Sequence, residues 1–478
     1  MILRFLPDNA MLLSGFSILF FLLLAPMGAA AFGLSDADSV YPLCLSTLAV
    51  VVWIFLTLKH ISRDVFNFYS LFVTSAILFN AGQTLLEVFH LNAAGLLGDK
   101  FTSATLTSTL YLVALCLVCF HTGGILGAAG GDRVAQEDDR PFLSAHALRM
   151  TGYLLLSISA IPALFTINHA LEIVLRGGYF ALYQKKQLAG LASGVEGAIK
   201  FVSGFFVPGL LFALAGHKNH KVPRIVLQFV IFVQVCTLMF LGYRGYSSML
   251  LMAVLWMRHR LIRPLRLRWT LIAGIVLILV VFPTVSAIRD IKGTSRLAGK
   301  VFVDAFLSIE NPAVAILTVM GESMETVAYT LQLIPKERPF AWGSTYALGA
   351  TEIIPNLFWD VHPSTMYANL GHWLTKSVDP DRYFAGGGMA FSFIAEAYAN
   401  VSFWLAPLII GLIGFIIARL VRWAAAEGND GGVVVVAGCT AYMLQWARGD
   451  VTIFIRPVFL YVLIPYCVYL VLRKNPIV

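Results

Sequence analysis

Phe391-Ser392-Phe393-Ile394-Ala395-Glu396-Ala397-Tyr398-Ala399-Asn400 begins an apolar helix that carries a carboxylate inside it. It follows the longest polar-containing segment of the chain. That segment starts at Ile288-Arg289-Asp290, where one apolar span ends, and runs to about Ala390. On both sides the chain reads as membrane spans. A bilayer crossing needs roughly 17 to 25 mostly apolar residues. Such stretches fall at roughly 11–32, 43–58, 65–89, 104–128, 147–171, 197–216, 225–242, 246–257, 269–287, 391–418, 432–447 and 457–472, about twelve helices. The stretch near 246–257 is short and is expected to extend into its flanks. The stretch near 391–418 is long and is expected to begin as a separate helix. The predicted fold is an all-α polytopic membrane protein. Nine helices occupy 1–287, a long loop or lid with short helices occupies 288–390, and three helices occupy 391–478.

Composition agrees. The 478 residues are 59% hydrophobic and 13% charged, with a mean hydropathy of +0.80. A soluble domain of this length cannot hide that much apolar surface, so the solvent is largely lipid. Cys44, Cys116, Cys119, Cys236, Cys439 and Cys467 all fall in apolar spans, and no disulfide is expected. No Cys/His spacing of a metal site occurs, and neither metal nor cofactor is expected. The net charge of +8 needs placing before it implies a partner.

Basic residues in short connections mark the cytoplasmic side. One alternate set of connections holds Lys59 and Arg63, then Arg133 and Arg140, then Lys218, Lys221 and Arg224. It continues with Arg258, Arg260, Arg263, Arg266 and Arg268, then Arg419 and Arg422, and the tail has Arg473 and Lys474. All fall on one side if twelve helices are counted, which puts both termini in the cytoplasm. The other side receives Tyr243-Arg244-Gly245-Tyr246 and the long 288–390 segment; Lys185 and Lys186 are a mild exception. The charge thus follows topology, and no nucleic acid is expected as a partner. Met27-Gly28-Ala29-Ala30-Ala31 has the small residues of a signal-peptide cleavage site, but the apolar run before it is long for one, and a retained helix is favoured.

An ionisable group at membrane depth costs about 2.5–3.5 kcal/mol on insertion scales, which points to function by default. Such groups collect at the predicted outer ends of the helices: Glu172, Arg176, Arg244, Arg289, Asp290, Glu396, Arg448, Asp450 and Arg456. Arginines there suit an anion site, because guanidinium forks bind phosphate oxygens in pairs and stay charged. They also suit snorkelling to lipid, or local pairing such as Arg448 with Asp450. Arg244, between Gly242 and Gly245, favours the first reading. His362 in Trp359-Asp360-Val361-His362-Pro363 fits a general base or a loop histidine bonded to a neighbour. Glu396 fits a base for a sugar hydroxyl or a structural partner of a nearby arginine. Trp342, Tyr346, Phe358, Trp359, Tyr367 and Trp373 fit sugar stacking or interfacial anchoring. Asp36-Ala37-Asp38 and Asp379-Pro380-Asp381 have a D-x-D spacing used by metal-dependent glycosyltransferases, and turns favour Asp as well.

Three pieces together resemble the Wzy-type O-antigen polymerases, the oligosaccharide repeat-unit polymerases of bacterial envelopes. They are Gly242-Tyr243-Arg244-Gly245; Trp342-Gly343-Ser344-Thr345-Tyr346 with Ile353-Ile354-Pro355-Asn356-Leu357-Phe358-Trp359; and Glu396-Ala397-Tyr398-Ala399-Asn400 leading into Leu408-Ile409-Ile410-Gly411-Leu412-Ile413-Gly414. Two departures stand out. The family often has Asn-Phe-Gly where this chain has Asn400-Val401-Ser402, and Arg after the Ile-Pro pair where it has Asn356. The resemblance implies a polytopic scaffold like that of the GT-C-like lipid-sugar transferases. It implies joining of polyprenyl-diphosphate-linked oligosaccharides on the periplasmic face of the bacterial inner membrane, with no nucleotide sugar. Arg244 and Arg289, with Arg448 and Arg456 as weaker candidates, would hold diphosphate, and His362 or Glu396 would be the base. Trp342, Tyr346, Trp359, Tyr398 and Asn400 would meet sugar. The 288–390 loop would be a lid, with Gly386-Gly387-Gly388 at its exit. Membrane lipid and a chain-length regulator are the further partners expected. An O-antigen ligase or another lipid-sugar transferase is the rival enzyme reading. A flippase ranks third, because no internal repeat is evident and the charges sit at the rim.

Overall fold

The computed structural model describes residues 6–31, 36–62, 64–92, 95–129, 141–179, 181–182, 194–288, 291, 299–354, 362–364 and 369–475. Among them the regular structure is helical, with no strand. The helix Ser103–Ala128 is the central post. Thr102 caps it by accepting from the Thr105 amide at 3.3 Å. Its most apolar part is 89% buried, against 17% for Lys221–Leu241 and 22% for Leu267–Ile288. A helix apolar all round belongs inside, so the post is wrapped by protein while those two helices face lipid.

The helix Ala406–Ala424 lies along the post with backbones in contact. A Cβ built on Gly123 would overlap the Gly411 carbonyl, one on Gly414 would overlap the Phe120 carbonyl, and one on Gly127 would sit 2.5 Å from the Phe415 oxygen. Small residues permit this approach, which is how helices associate where the surroundings are as apolar as the side chains. The other faces of the post hold Leu6–Ala31 and Asp36–Thr57. Trp53 Nε1 donates to Ser14 Oγ at 3.1 Å, and the buried His121 ring bonds Thr57 Oγ1 at 2.7 Å and Tyr69 OH at 3.0 Å.

Among the described residues, nine helices are long and apolar enough to cross a membrane. The number is ten if Gly299–Leu307 and Pro312–Leu333, which meet at 89°, form one broken span. The three other predicted spans also fall on helices. These are Leu6–Ala31, whose apolar core Ala10–Leu24 is short, Arg244–Leu261, and the 14-residue Asp430–Met443. Fourteen residues rise only about 21 Å, less than the roughly 30 Å hydrocarbon core. The stretch near 391–418 divides into Phe393–Val401 and Ala406–Ala424. Ser402 makes the break at φ 86, ψ 175, a conformation glycine adopts freely.

The connections sort into two groups. In one, Asp64 meets His259 at 2.7 Å, Lys218 meets Asp430 at 2.5 Å, Arg260 donates to the Ala425 carbonyl at 3.0 Å, and Arg422 donates to that of Ala128. In the other, Lys100 meets Glu325 at 2.8 Å, Arg448 meets Glu322 at 3.1 Å, and Gly245 faces Gln445. These are the two alternate sets that the basic residues define.

Two substitutions test the packing. Ser402→Gly removes a backbone cost of about 1–3 kcal/mol against roughly 0.5–1 kcal/mol of added chain freedom. It should raise the melting temperature of the detergent-solubilised protein by a few degrees; a lower one would contradict the strained assignment. Gly414→Leu should abolish a monodisperse peak in size-exclusion chromatography, while Gly274→Leu, in open space, should leave it intact.

Candidate functional site

Most of the polar residues singled out above border one connection, the chain between Asp430–Met443 and the last span. It runs as a 3-10 turn Leu444–Arg448, a second turn Val451–Ile453, and the short helix Ile455–Val458. Asp450 starts the second turn, accepting from the Thr452 amide at 3.1 Å. It is 2% exposed, and its other oxygen accepts from the Gly371 amide at 3.1 Å.

Glu396 is fully buried on Phe393–Val401. Its Oε2 accepts from the Val451 amide at 3.0 Å and from Trp446 Nε1 at 3.5 Å, and its Oε1 accepts from the Thr345 hydroxyl at 3.3 Å. The carboxylate is thus met by donors rather than by a cation, as a buried charge requires some partner. Asn400 lies one helical turn further on, on the same face. Its Nδ2 donates to the Glu396 carbonyl at 2.9 Å and to Thr345 Oγ1 at 2.7 Å, and its Oδ1 accepts from the Gly343 amide at 3.0 Å. Backbone bonds from Ala341 to Ala399 (2.9 Å) and from Trp342 to Asn400 (2.8 Å) complete the tie. Two of the quoted motifs are therefore one hydrogen-bonded unit. At the start of the same helix, Ser392 donates to Asn80 Oδ1 at 2.5 Å, and Asn80 Nδ2 donates to the Ala447 carbonyl at 3.1 Å. That brings a third element to the connection.

Arg448 pairs with Glu322 at 3.1 Å and lies over the Phe79 ring at 5.7 Å. Arg456 sits on Ile455–Val458, which packs against Ser344–Ala350 and the Thr351–Ile353 turn. Arg244 opens the helix Arg244–Leu261 and donates to Ser286 Oγ. It is next to Gly245, whose Cβ would lie 3.9 Å from Gln445 Oε1. Gly242 ends the preceding helix at φ 96, and a Cβ there would be 2.6 Å from the Tyr179 ring. The cramped turn read from Gly242 and Gly245 is thus tight at Gly242, with rings of Tyr179, Tyr243 and Tyr246 around it. Arg289 and Trp359 lie outside the described residues, as do Phe358 and Tyr367.

His362 is half-buried. Its Nδ1 bonds Ser364 Oγ at 2.6 Å, its Nε2 bonds the Ile354 carbonyl at 3.1 Å, and Ser364 in turn donates to Glu352. Glu352 belongs to the turn that Ile455–Val458 packs against, so His362 reaches the same connection from its far end. Trp342 is 72% exposed, with φ 48. Tyr398 is buried and donates to the Ile334 carbonyl at 2.8 Å. Tyr346 OH and Gln445 Oε1 are buried without a hydrogen-bond partner among the described residues. Orphaned polar atoms are uncommon in a purely structural core. Asp379 of the second D-x-D caps a helix, accepting from the Arg382 amide at 3.0 Å. The side chains of Asp36 and Asp38 lie outside the described residues.

Asn80, Thr345, Trp446 and Glu322 were not singled out from the sequence for these roles. Asn80 carried a usable signal, an amide inside an apolar run; Glu322 carried none, because its partner is 126 positions away.

Comparison with known proteins follows the same line. No curated protein and no solved structure matches the chain. The family described as O-antigen polysaccharide polymerase Wzy matches residues 16–476, nearly the whole length. That span takes in the post, the helix on its glycine seam and every described candidate residue, and the chain accordingly belongs to the Wzy family of O-antigen polysaccharide polymerases.

Proposed function

We propose that repeat-unit polymerisation takes place around the Leu444–Arg456 connection, on the periplasmic face of the inner membrane. Wzy-family membership supports O-antigen repeat-unit polymerisation from lipid-linked oligosaccharides in a multi-pass inner membrane protein. The observation that carries the location is that Arg448 and Arg456 lie on this one short connection, that the Glu396 unit is bonded to it, and that Gly245, beside Arg244, faces Gln445 on it. The two groups of connections support the orientation, with the basic group and both termini cytoplasmic.

In the reaction, a hydroxyl of the incoming unit attacks the anomeric carbon of the growing chain. The bond from that carbon to diphosphate breaks, a glycosidic bond forms, and the hydroxyl proton passes to a base. Arg244, Arg448 and Arg456, with Arg289, neutralise the departing diphosphate through paired N–H donors. Such cations would meet the demand that a metal otherwise meets, which supports a metal-independent reaction. His362 is the more accessible base, being half-buried; it takes the proton once one of its ring nitrogens leaves Ser364 or the Ile354 carbonyl. Glu396 has donors on both oxygens and no exposure, so its role is positioning: it locks Val451 and Trp446, and through them Arg448, against Thr345. Exposed Trp342 offers a ring for a sugar to stack on. The 288–390 segment closes over the two substrates, where orientation supplies much of the rate.

Arg244→Ala should abolish long polymer while single capped units persist at wild-type protein level, a rate loss of about 10²–10³-fold by analogy with removal of one fixed donor. Normal-length polymer in that variant would remove Arg244 from the diphosphate site. His362→Ala should slow chain growth about 10²–10⁴-fold with an unchanged melting temperature. Glu396→Gln keeps an oxygen for Val451 and Trp446 but sets an NH2 against the Thr345 hydroxyl, which loses its acceptor; it should cost about 1–3 kcal/mol, read as a lower melting temperature together with lost polymer. Purified protein given only lipid-linked repeat units separates polymerase from ligase: growth without added lipid-A core supports the former, and its absence the latter.

A further inference from the structure

A cavity of about 250 Å³ opens beside Arg448. One wall is the helix Glu322–Leu333. Glu322, Glu325 and Tyr329 line the cavity from it, at the spacing that puts three side chains on one helix face. The facing wall is Val378, Asp379 and Arg382, from the junction of Leu370–Val378 with Pro380–Phe384. Lys100 closes one end, and Met389 and Ala390 lead directly into the helix that bears Glu396.

The lining is polar and pre-arranged. Lys100 and Glu325 pair at 2.8 Å, and that hydrogen bond to Glu325 pushes the Lys100 ammonium up from its ordinary range. Glu322 is held by Arg448 at 3.1 Å, Asp379 caps the Arg382 turn, and the Tyr329 ring meets the edge of Phe101 at 4.7 Å. Three carboxylates are balanced by Lys100, Arg382 and the adjoining Arg448. A phosphate would meet those carboxylates and be repelled. A neutral, hydroxyl-rich molecule would find acceptors and donors around its edge and an aromatic ring beside it. The volume falls just under the roughly 300–1,000 Å³ of drug-sized ligand sites, room for one or two sugar rings.

We infer that this cavity is a saccharide subsite: it binds the uncharged sugar head of a lipid-linked repeat unit, and Glu322 connects it to Arg448. The inference rests on the polymerase reading and adds to it where the sugar lies relative to the diphosphate. Glu322 is the shared member, lining the cavity and holding the guanidinium. A sugar that engages Glu322 loosens Arg448 for the anion, so the two halves of one substrate are recognised together.

The test uses the full chain in lipid nanodiscs. The probe is the free oligosaccharide released by mild acid from the host cell's own lipid-linked repeat unit, titrated by saturation-transfer NMR. Arg382→Gln removes a cation at the rim, and Ala390→Trp fills the cavity. Each should weaken binding by about tenfold or more, the worth of one hydrogen bond to a charged group, and shorten the polymer, with elution and melting unchanged. Arg244→Ala should bind the saccharide as the wild type does while making no long polymer. Wild-type affinity in both Arg382→Gln and Ala390→Trp overturns the subsite, as does a wild-type protein that leaves the probe unbound. If those two variants also make normal polymer, the cavity is a solvated cleft and the polymerase reading stands. If the wild type binds the probe but joins no lipid-linked units, the polymerase reading fails and the subsite survives.

Discussion

The contact on which the rest depends is between two backbones. Along the seam of Gly123 and Gly127 with Gly411, Gly414 and Phe415, helices meet with no side chain between them. Inside a membrane, burying a methyl group against protein gains little over leaving it in lipid, so close van der Waals contact decides which helices stay together. The seam fixes Ala406–Ala424 on the post. Through Ser402 it fixes Phe393–Val401, and that helix carries the carboxylate on which the outer connection is built. The bonds of His121 to Thr57 and Tyr69 do the same work on the opposite side of the post, where a lone imidazole is satisfied by hydroxyls.

The outer connection shows how irregular backbone is accommodated next to a bilayer. Chain that leaves the helix must find other partners for its amides, and protein has to supply them. Here carboxylates do so: Glu396 takes the amide of Val451, and Asp450 takes those of Gly371 and Thr452. The acids are buried because the loop needs acceptors, and the loop holds its shape because the acids are buried. The arginines on the same stretch, Arg448 and Arg456, are more exposed. The order in the connection is therefore a buried acidic interior beneath a more exposed basic rim.

The helical class, the nine long apolar helices among the described residues and the separate start near Phe391 are legible in the sequence, because the alternation of lipid and water writes itself into hydropathy; the bent pair Gly299–Leu307 and Pro312–Leu333, read as part of a loop, is not. Short Asp430–Met443 shows the limit: a protein-wrapped helix need not reach across the hydrocarbon core, and its apolar run says nothing about that. At the candidate site the residue types are legible and the partners are not. Arg448 has Asp450 two places along, yet it pairs with Glu322, which no periodicity connects to it. Glu396 reads as a base or as the mate of an arginine. Its partners are a backbone amide, an indole and a hydroxyl, each supplied by a distant part of the chain. Asn400 looks like a sugar contact because amides often are; in place, both ends of its amide bind neighbouring loops.

Ser402 carries the last lesson. The Asn-Phe-Gly step of the family pattern becomes Asn400-Val401-Ser402 here, and letter by letter that is a mismatch. Yet the serine stands at φ 86 and ψ 175, the posture for which glycine is suited. What the elbow requires is an angle, and here a serine is held in the one that glycine makes most easily.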